Sequence, residues 1–143
     1  MTSAELISAE RGHRPARGGM IDLLAVLSLG DRDTAARLVA ENPRLIDSGV
    51  LHLMAKRNDV RAVKWLLEHG ADANARWSHW DAEVTPLHLA ILSGHADIVR
   101  PLLDAGADPH IRDSKHDSDA IGWAEFFRRQ EIVQVLKAHV GDT

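Results

Sequence analysis

The sequence predicts an all-α fold, a solenoid of stacked helix-turn-helix units joined by extended fingers. An internal repeat is the first reason. Leu51-His52-Leu53 and Gly70-Ala71-Asp72 stand 36 residues before Leu87-His88-Leu89 and Gly106-Ala107-Asp108. Six matches at one offset mark a chain built from copies of one supersecondary unit. The second reason is apolar periodicity, which falls into pairs of short helical stripes closed by glycine. Composition is the third. The chain has 143 residues, 45% hydrophobic content and no cysteine, enough apolar material for one core and no disulfide framework to replace it.

The clearest unit begins at Thr85. Its hydroxyl suits an N-cap, and Pro86 suits the first helical turn. Leu87, Ala90 and Ile91, with Leu89 beside them, mark the buried face of a short helix that Gly94 ends. Ile98, Val99, Leu102 and Leu103 form the stripe of a second helix, closed by Gly106, and Ala107-Asp108-Pro109 turns the chain into a finger. Pro101 falls inside the second helix, where it removes one backbone bond and is expected to bend the axis. Trp65 and Val135 hold the matching positions of the neighbouring units.

Thr85-Pro86-Leu87-His88-Leu89-Ala90, followed by Gly94-His95 and Gly106-Ala107-Asp108, resembles one complete ankyrin repeat, whose opening reads T-P-L-H-x-A on a period of about 33 residues. The resemblance extends over nearly everything after Gly19. It implies an ankyrin-repeat domain at 20–143, with repeats at about 20–48, 49–84, 85–118 and 119–142, preceded by a flexible N-terminal arm, 1–19. The outer repeats are the weaker matches, as terminal repeats are. Ile132-Val133 lies 34 residues after Ile98-Val99, and Leu38-Val39 lies 28 residues before Leu66-Leu67. Repeat two opens on Gly49-Val50 instead of Thr-Pro. Repeat four opens on Asp119-Ala120-Ile121-Gly122-Trp123-Ala124, with Asp119 as N-cap and Trp123 on the core position of Leu89.

Charge and motif content exclude several classes. The formal net charge is −4 with no large charged block, so nothing draws the chain toward nucleic acid or anionic lipid. No apolar run approaches the ~18 residues of a membrane span, and the first 19 residues hold no signal-peptide core, so a cytoplasmic location is expected. There is no G-x-S-x-G, P-loop, G-x-G-x-x-G or H-E-x-x-H, and the expectation is a chain without catalytic activity or cofactor. Ser78, His79 and Asp81 are polar turn residues, because sequence neighbours rarely present triad geometry.

The ankyrin resemblance gives His52 and His88 a structural role, tying repeats together through hydrogen bonds to backbone. It also implies recognition of another protein on the concave side, formed by finger tips and the exposed edges of the first helices. By position these are Ser28, Leu29, Lys56, Arg57, Leu92, Ser93, Phe126 and Phe127 on the helices. Trp77, Ser78, His79, Trp80, Asp81, Ala82 and Val84 stand on the second finger, with Lys115, His116 and Ser118 on the third. Two tryptophans in one long finger fit a binding role, since Trp is enriched at interaction hot spots. Two alternatives remain open. A metal or small ligand between the second and third fingers would use His79, Asp81, His110, Asp113, His116 and Asp117, although their spacing matches no tight ligand motif. A homodimer would instead bury the aromatic surface on a second copy.

Overall fold

The computed structural model describes residues 15–79 and 82–141. They form eight α-helices, one 3-10 helix and one two-stranded sheet. The chain divides into two compact units, one ending at Val50 and the other beginning at Leu51.

In the first unit, α1 (Pro15–Ser28) packs against α2 (Arg32–Glu41) and against a 3-10 helix, Pro43–Asp47. Leu23, Leu27, Ala35, Leu45, Ile46 and Val50 are its buried apolar residues among those described. Helix α2 starts where Asp31 accepts the Thr34 N–H at 3.1 Å, a side-chain N-cap. Helix α1 begins earlier than the sequence predicts. Pro15–Gly19 belong to it instead of to a flexible arm, with Pro15 in the first-turn position where a missing N–H costs no helical bond. The rest of the expected arm, 1–14, lies outside the described residues.

The second unit starts within α3 (Val50–Lys56) and continues through α4 (Val60–Glu68), α5 (Pro86–Ser93), α6 (Ala96–Asp104), α7 (Ala120–Phe126) and α8 (Gln130–Gly141). First helices stack on one another, α5 on α7, and second helices form a parallel layer, α4 on α6 on α8. The core lies between these layers. Leu87, Leu89, Ala90 and Ile91 of α5 face Ile98, Val99, Leu102 and Leu103 of α6 inside it. Ala62, Val63, Trp65 and Leu66 of α4 and Ile132, Val133 and Leu136 of α8 repeat the pattern.

Local chemistry sets the turns. Between the two helices of each repeat the backbone enters the left-handed region, at Gly30 (φ 81°), Asn58 (φ 62°), Gly94 (φ 78°) and Arg128 (φ 60°). Gly94 has a second reason to lack a side chain, since a Cβ there would stand 3.1 Å from the Arg129 guanidinium carbon. Arg129 reaches back across that glycine to the Ile91 and Leu92 carbonyls, at 3.1 and 2.7 Å. His95, at the matching place one repeat earlier, donates to the Lys56 carbonyl at 3.1 Å. In both cases a polar turn residue satisfies open carbonyls at the end of the preceding first helix. Pro101 lies inside α6, as its position in the repeat predicts.

The second finger is a β-hairpin, which the sequence reading takes only as extended chain. Strands β1 (Trp77–His79) and β2 (Ala82–Val84) are antiparallel, with Trp77 opposite Val84 and His79 opposite Ala82. The third finger is tied to the second by reciprocal bonds between Glu83 and Ser114. Ser114 N–H donates to the Glu83 carbonyl at 3.2 Å, and its hydroxyl accepts the Glu83 N–H at 2.7 Å. The Asn74 side chain adds a second link, donating to the Gly106 carbonyl at 3.0 Å and accepting the Asp108 N–H at 2.6 Å.

Candidate functional site

The third finger is organised around Asp113, which is only 2% exposed. One carboxylate oxygen accepts the Ser118 N–H at 3.0 Å and the Trp123 indole N–H at 2.9 Å. The other accepts the Lys115 and His116 backbone N–H groups, at 3.1 and 2.7 Å, and faces His116 Nδ1 at 3.2 Å. Burial alone would raise its pKa. The donors from His116, Trp123, Ser118 and Lys115 together outweigh that penalty and hold the carboxyl ionised, far below the usual carboxylate range. Facing an ionised oxygen, His116 Nδ1 acts as a donor.

The motif histidine joins this network from the other side. His88 Nδ1 accepts the Thr85 N–H at 3.2 Å while Thr85 Oγ accepts the His88 N–H at 3.4 Å, a reciprocal cap of α5. The ring proton therefore sits on Nε2, which donates to the Ser118 carbonyl at 3.1 Å. His52 does the same for the second finger, 2.9 Å from the Ala75 carbonyl. Burial lowers the pKa of both rings, against the opposing pull of the Ser118 and Ala75 carbonyls. Both rings bond to backbone, as the ankyrin resemblance implies, but each bond joins a first helix to the finger of its own repeat and does not tie one repeat to the next.

Beside this network lies an apolar groove of about 320 Å³, lined by His116, Ser118, Gly122, Trp123, Phe126 and Phe127. Trp123 is 9% exposed, on the core position its register predicts. Its ring stands at 61° to His88, 76° to His116 and 53° to Phe127, with centroids 4.7, 6.4 and 5.8 Å apart. Phe126 meets Phe127 edge to face, 5.0 Å away at 89°, and is 78% exposed. Gly122 replaces the motif histidine, 34 residues after His88. The Ser118 hydroxyl occupies the space a Cβ would need there.

Four residues that the sequence places on the concave side, His116, Ser118, Phe126 and Phe127, thus line one groove. Trp123 and Gly122 complete it. The absent histidine at Gly122 was their sequence signal, although it did not mark a groove. The remaining candidates lie elsewhere. Lys56, the last residue of α3, and Arg57 after it are exposed, and Leu92 and Ser93 are half-buried at the end of α5. Trp77 is 40% exposed, its ring centroid 5.9 Å from that of His52. Lys115 is exposed beside His116. Trp80 and Asp81, and the side chain of His79, lie outside the described residues. Among the described residues no three of His, Asp and Glu come together as a metal-ligand set. Likewise no helix among them is long and apolar enough to cross a membrane.

Comparison with known proteins agrees with this architecture. A family model of ankyrin repeats in three copies matches residues 23–113. The mouse 2-5A-dependent ribonuclease is 48% identical over 66 residues, which cover 46% of this chain and 9% of that protein. The Arabidopsis thaliana serine/threonine-protein kinase VIK is 34% identical over 107 residues, 71% of this chain and 22% of its own length. A putative ankyrin repeat protein of Rickettsia bellii is 34% identical over 93 residues, 50% of this chain and 39% of that protein. The chain therefore spans well under half of these relatives, and what it shares with them is the repeat. With the family model matched across most of its length, the chain belongs to the ankyrin-repeat family.

Proposed function

We propose that this chain is a non-catalytic protein-interaction module whose recognition surface centres on the aromatic groove of the last two repeats. Ankyrin repeats are generally protein–protein interaction modules and typically non-catalytic. The single observation carrying the finer reading is Phe126, 78% exposed at the rim of an apolar groove. A large aromatic ring left in water beside unfilled apolar surface gains free energy when a partner covers it, and such rings dominate interface energetics. The concave surface then runs from Lys56 and Arg57, past Trp77 and the end of α5 at Leu92 and Ser93, to Lys115, His116, Phe126 and Phe127.

Neither alternative has comparable support. A metal between the fingers would have to displace Asp113 from its N–H donors, each of which would then lose a partner. Self-association would use the same exposed ring, and solution mass distinguishes it from recognition of another protein. Affinity capture from the source cells, with wild type beside Phe126→Ala and Trp77→Ala, tests the proposal. A partner held by wild type and lost from Phe126→Ala is the expected result. Equal capture by all three would move the interface elsewhere.

A further inference from the structure

We propose that the groove walled by His116, Trp123, Phe126 and Phe127 receives a basic side chain, a lysine or arginine, from the partner. This rests on the reading of the groove as an interaction surface and adds the chemistry of what enters it. An apolar pocket alone would take a leucine equally well. What distinguishes this one is the charge behind its walls.

Asp113 lies directly behind two of the lining rings, 2.9 Å from the Trp123 indole nitrogen and 3.2 Å from His116 Nδ1. Its carboxylate is buried, so its field is screened far less than that of a surface charge. Accepting the indole N–H also polarises Trp123, shifting electron density toward the π system that attracts cations. The rings stand at 76°, 53° and 89° to their neighbours, forming walls and not one flat plate.

Among the described residues, no lysine or arginine lines the cavity. Nearby cations are engaged elsewhere: Arg112 pairs with Asp117 at 3.3 Å, and Arg129 is bound to the Ile91 and Leu92 carbonyls. Lys115 and Arg128 are exposed, where solvent and salt weaken their repulsion. An entering ammonium or guanidinium thus finds aromatic walls and a buried anion, and its methylene stem covers the apolar surface. A partner carboxylate would face Asp113 unfavourably.

Three capped peptides, acetyl-Gly-Ala-X-Ala-Gly-amide with X as lysine, norleucine or glutamate, test this directly. Each is titrated to millimolar concentration into the full chain while the Trp123 indole N–H resonance is followed by NMR. The resonance is assigned with Trp123→Phe. The lysine peptide is expected to shift it and to bind at least about threefold more tightly than norleucine, the glutamate peptide not at all. Phe126→Leu keeps an apolar rim without a ring. It is expected to bring lysine binding down to the norleucine level, with an unchanged circular-dichroism melt. Norleucine binding as tightly as lysine, or glutamate binding, would overturn the cation assignment while leaving the interaction surface standing. No response to any peptide would also overturn it, and the interaction surface would then stand or fall on partner capture.

Discussion

Asp113 and Trp123 couple the third finger to the last repeat through one 2.9 Å bond, so each residue guards the other's placement. Trp123→Ala removes a buried ring and leaves Asp113 one donor short. The expected loss is about 3–5 kcal/mol, read as a lower urea midpoint with unchanged slope. A midpoint close to wild type would show that the ring contributes little. The buried histidines add a pH dependence of defined sign. Burial lowers the folded pKa of His52 and His88, whereas the unfolded chain titrates near 6.5. The unfolded state therefore binds more protons below that value. Their contribution is complete above about pH 7.5 and is lost as pH falls through 6.5 toward the folded value. Midpoints at pH 8, 6 and 5 should decline in that order, and more gently in His88→Gln. Equal slopes would assign the dependence to other groups. Asp113 adds its own loss only in stronger acid, below about pH 4, because its folded pKa is depressed from the usual range.

Among the elements, helices were legible in the sequence because their signals are local. Thr85 and Asp119 each accept an N–H three residues on and start a helix, as their type and place indicate, and the structure shows Asp59 and Asp31 doing the same. The hairpin was not legible, since three-residue strands carry no periodicity, and its edge is held by Ser114, 31 residues away from Glu83. The role of Asp113 was hidden for a similar reason, because most of its donors are backbone N–H groups with no residue signature. Two element-level substitutions follow from the geometry. Pro101→Val restores the N–H that α6 lacks toward the carbonyl four residues earlier. It is expected to stabilise by about 1 kcal/mol, short of the ~3 kcal/mol of an unaccommodated interior proline. Destabilisation would mean that the neighbouring helices require the proline's shape. Arg128→Gly relieves a side chain held at φ 60° and is expected to raise stability by up to about 1 kcal/mol in thermal melts. A lower melting temperature would show that the Arg128 side chain stabilises the turn by more than its strain costs.

For the whole molecule, the family and the stacking of repeats were readable from offsets of 36 and 34 residues, because nearest-neighbour stacking imposes the same buried pattern on each copy. The groove was only half readable. Sequence register put Phe126 and Phe127 on an exposed edge, but its wall depends on Gly122 standing where a histidine stands in the two preceding repeats. Trp123 and Phe126, three positions apart on α7, are placed differently: one ring is buried in the core, and the other is exposed, where the proposed interaction surface uses it. Calorimetric titration of the captured partner into wild type and Phe126→Ala tests this division most directly. The expected result is binding weaker by about 2 kcal/mol, the scale of an interface hot spot, with the melting temperature unchanged. Equal affinity in the two proteins would contradict it.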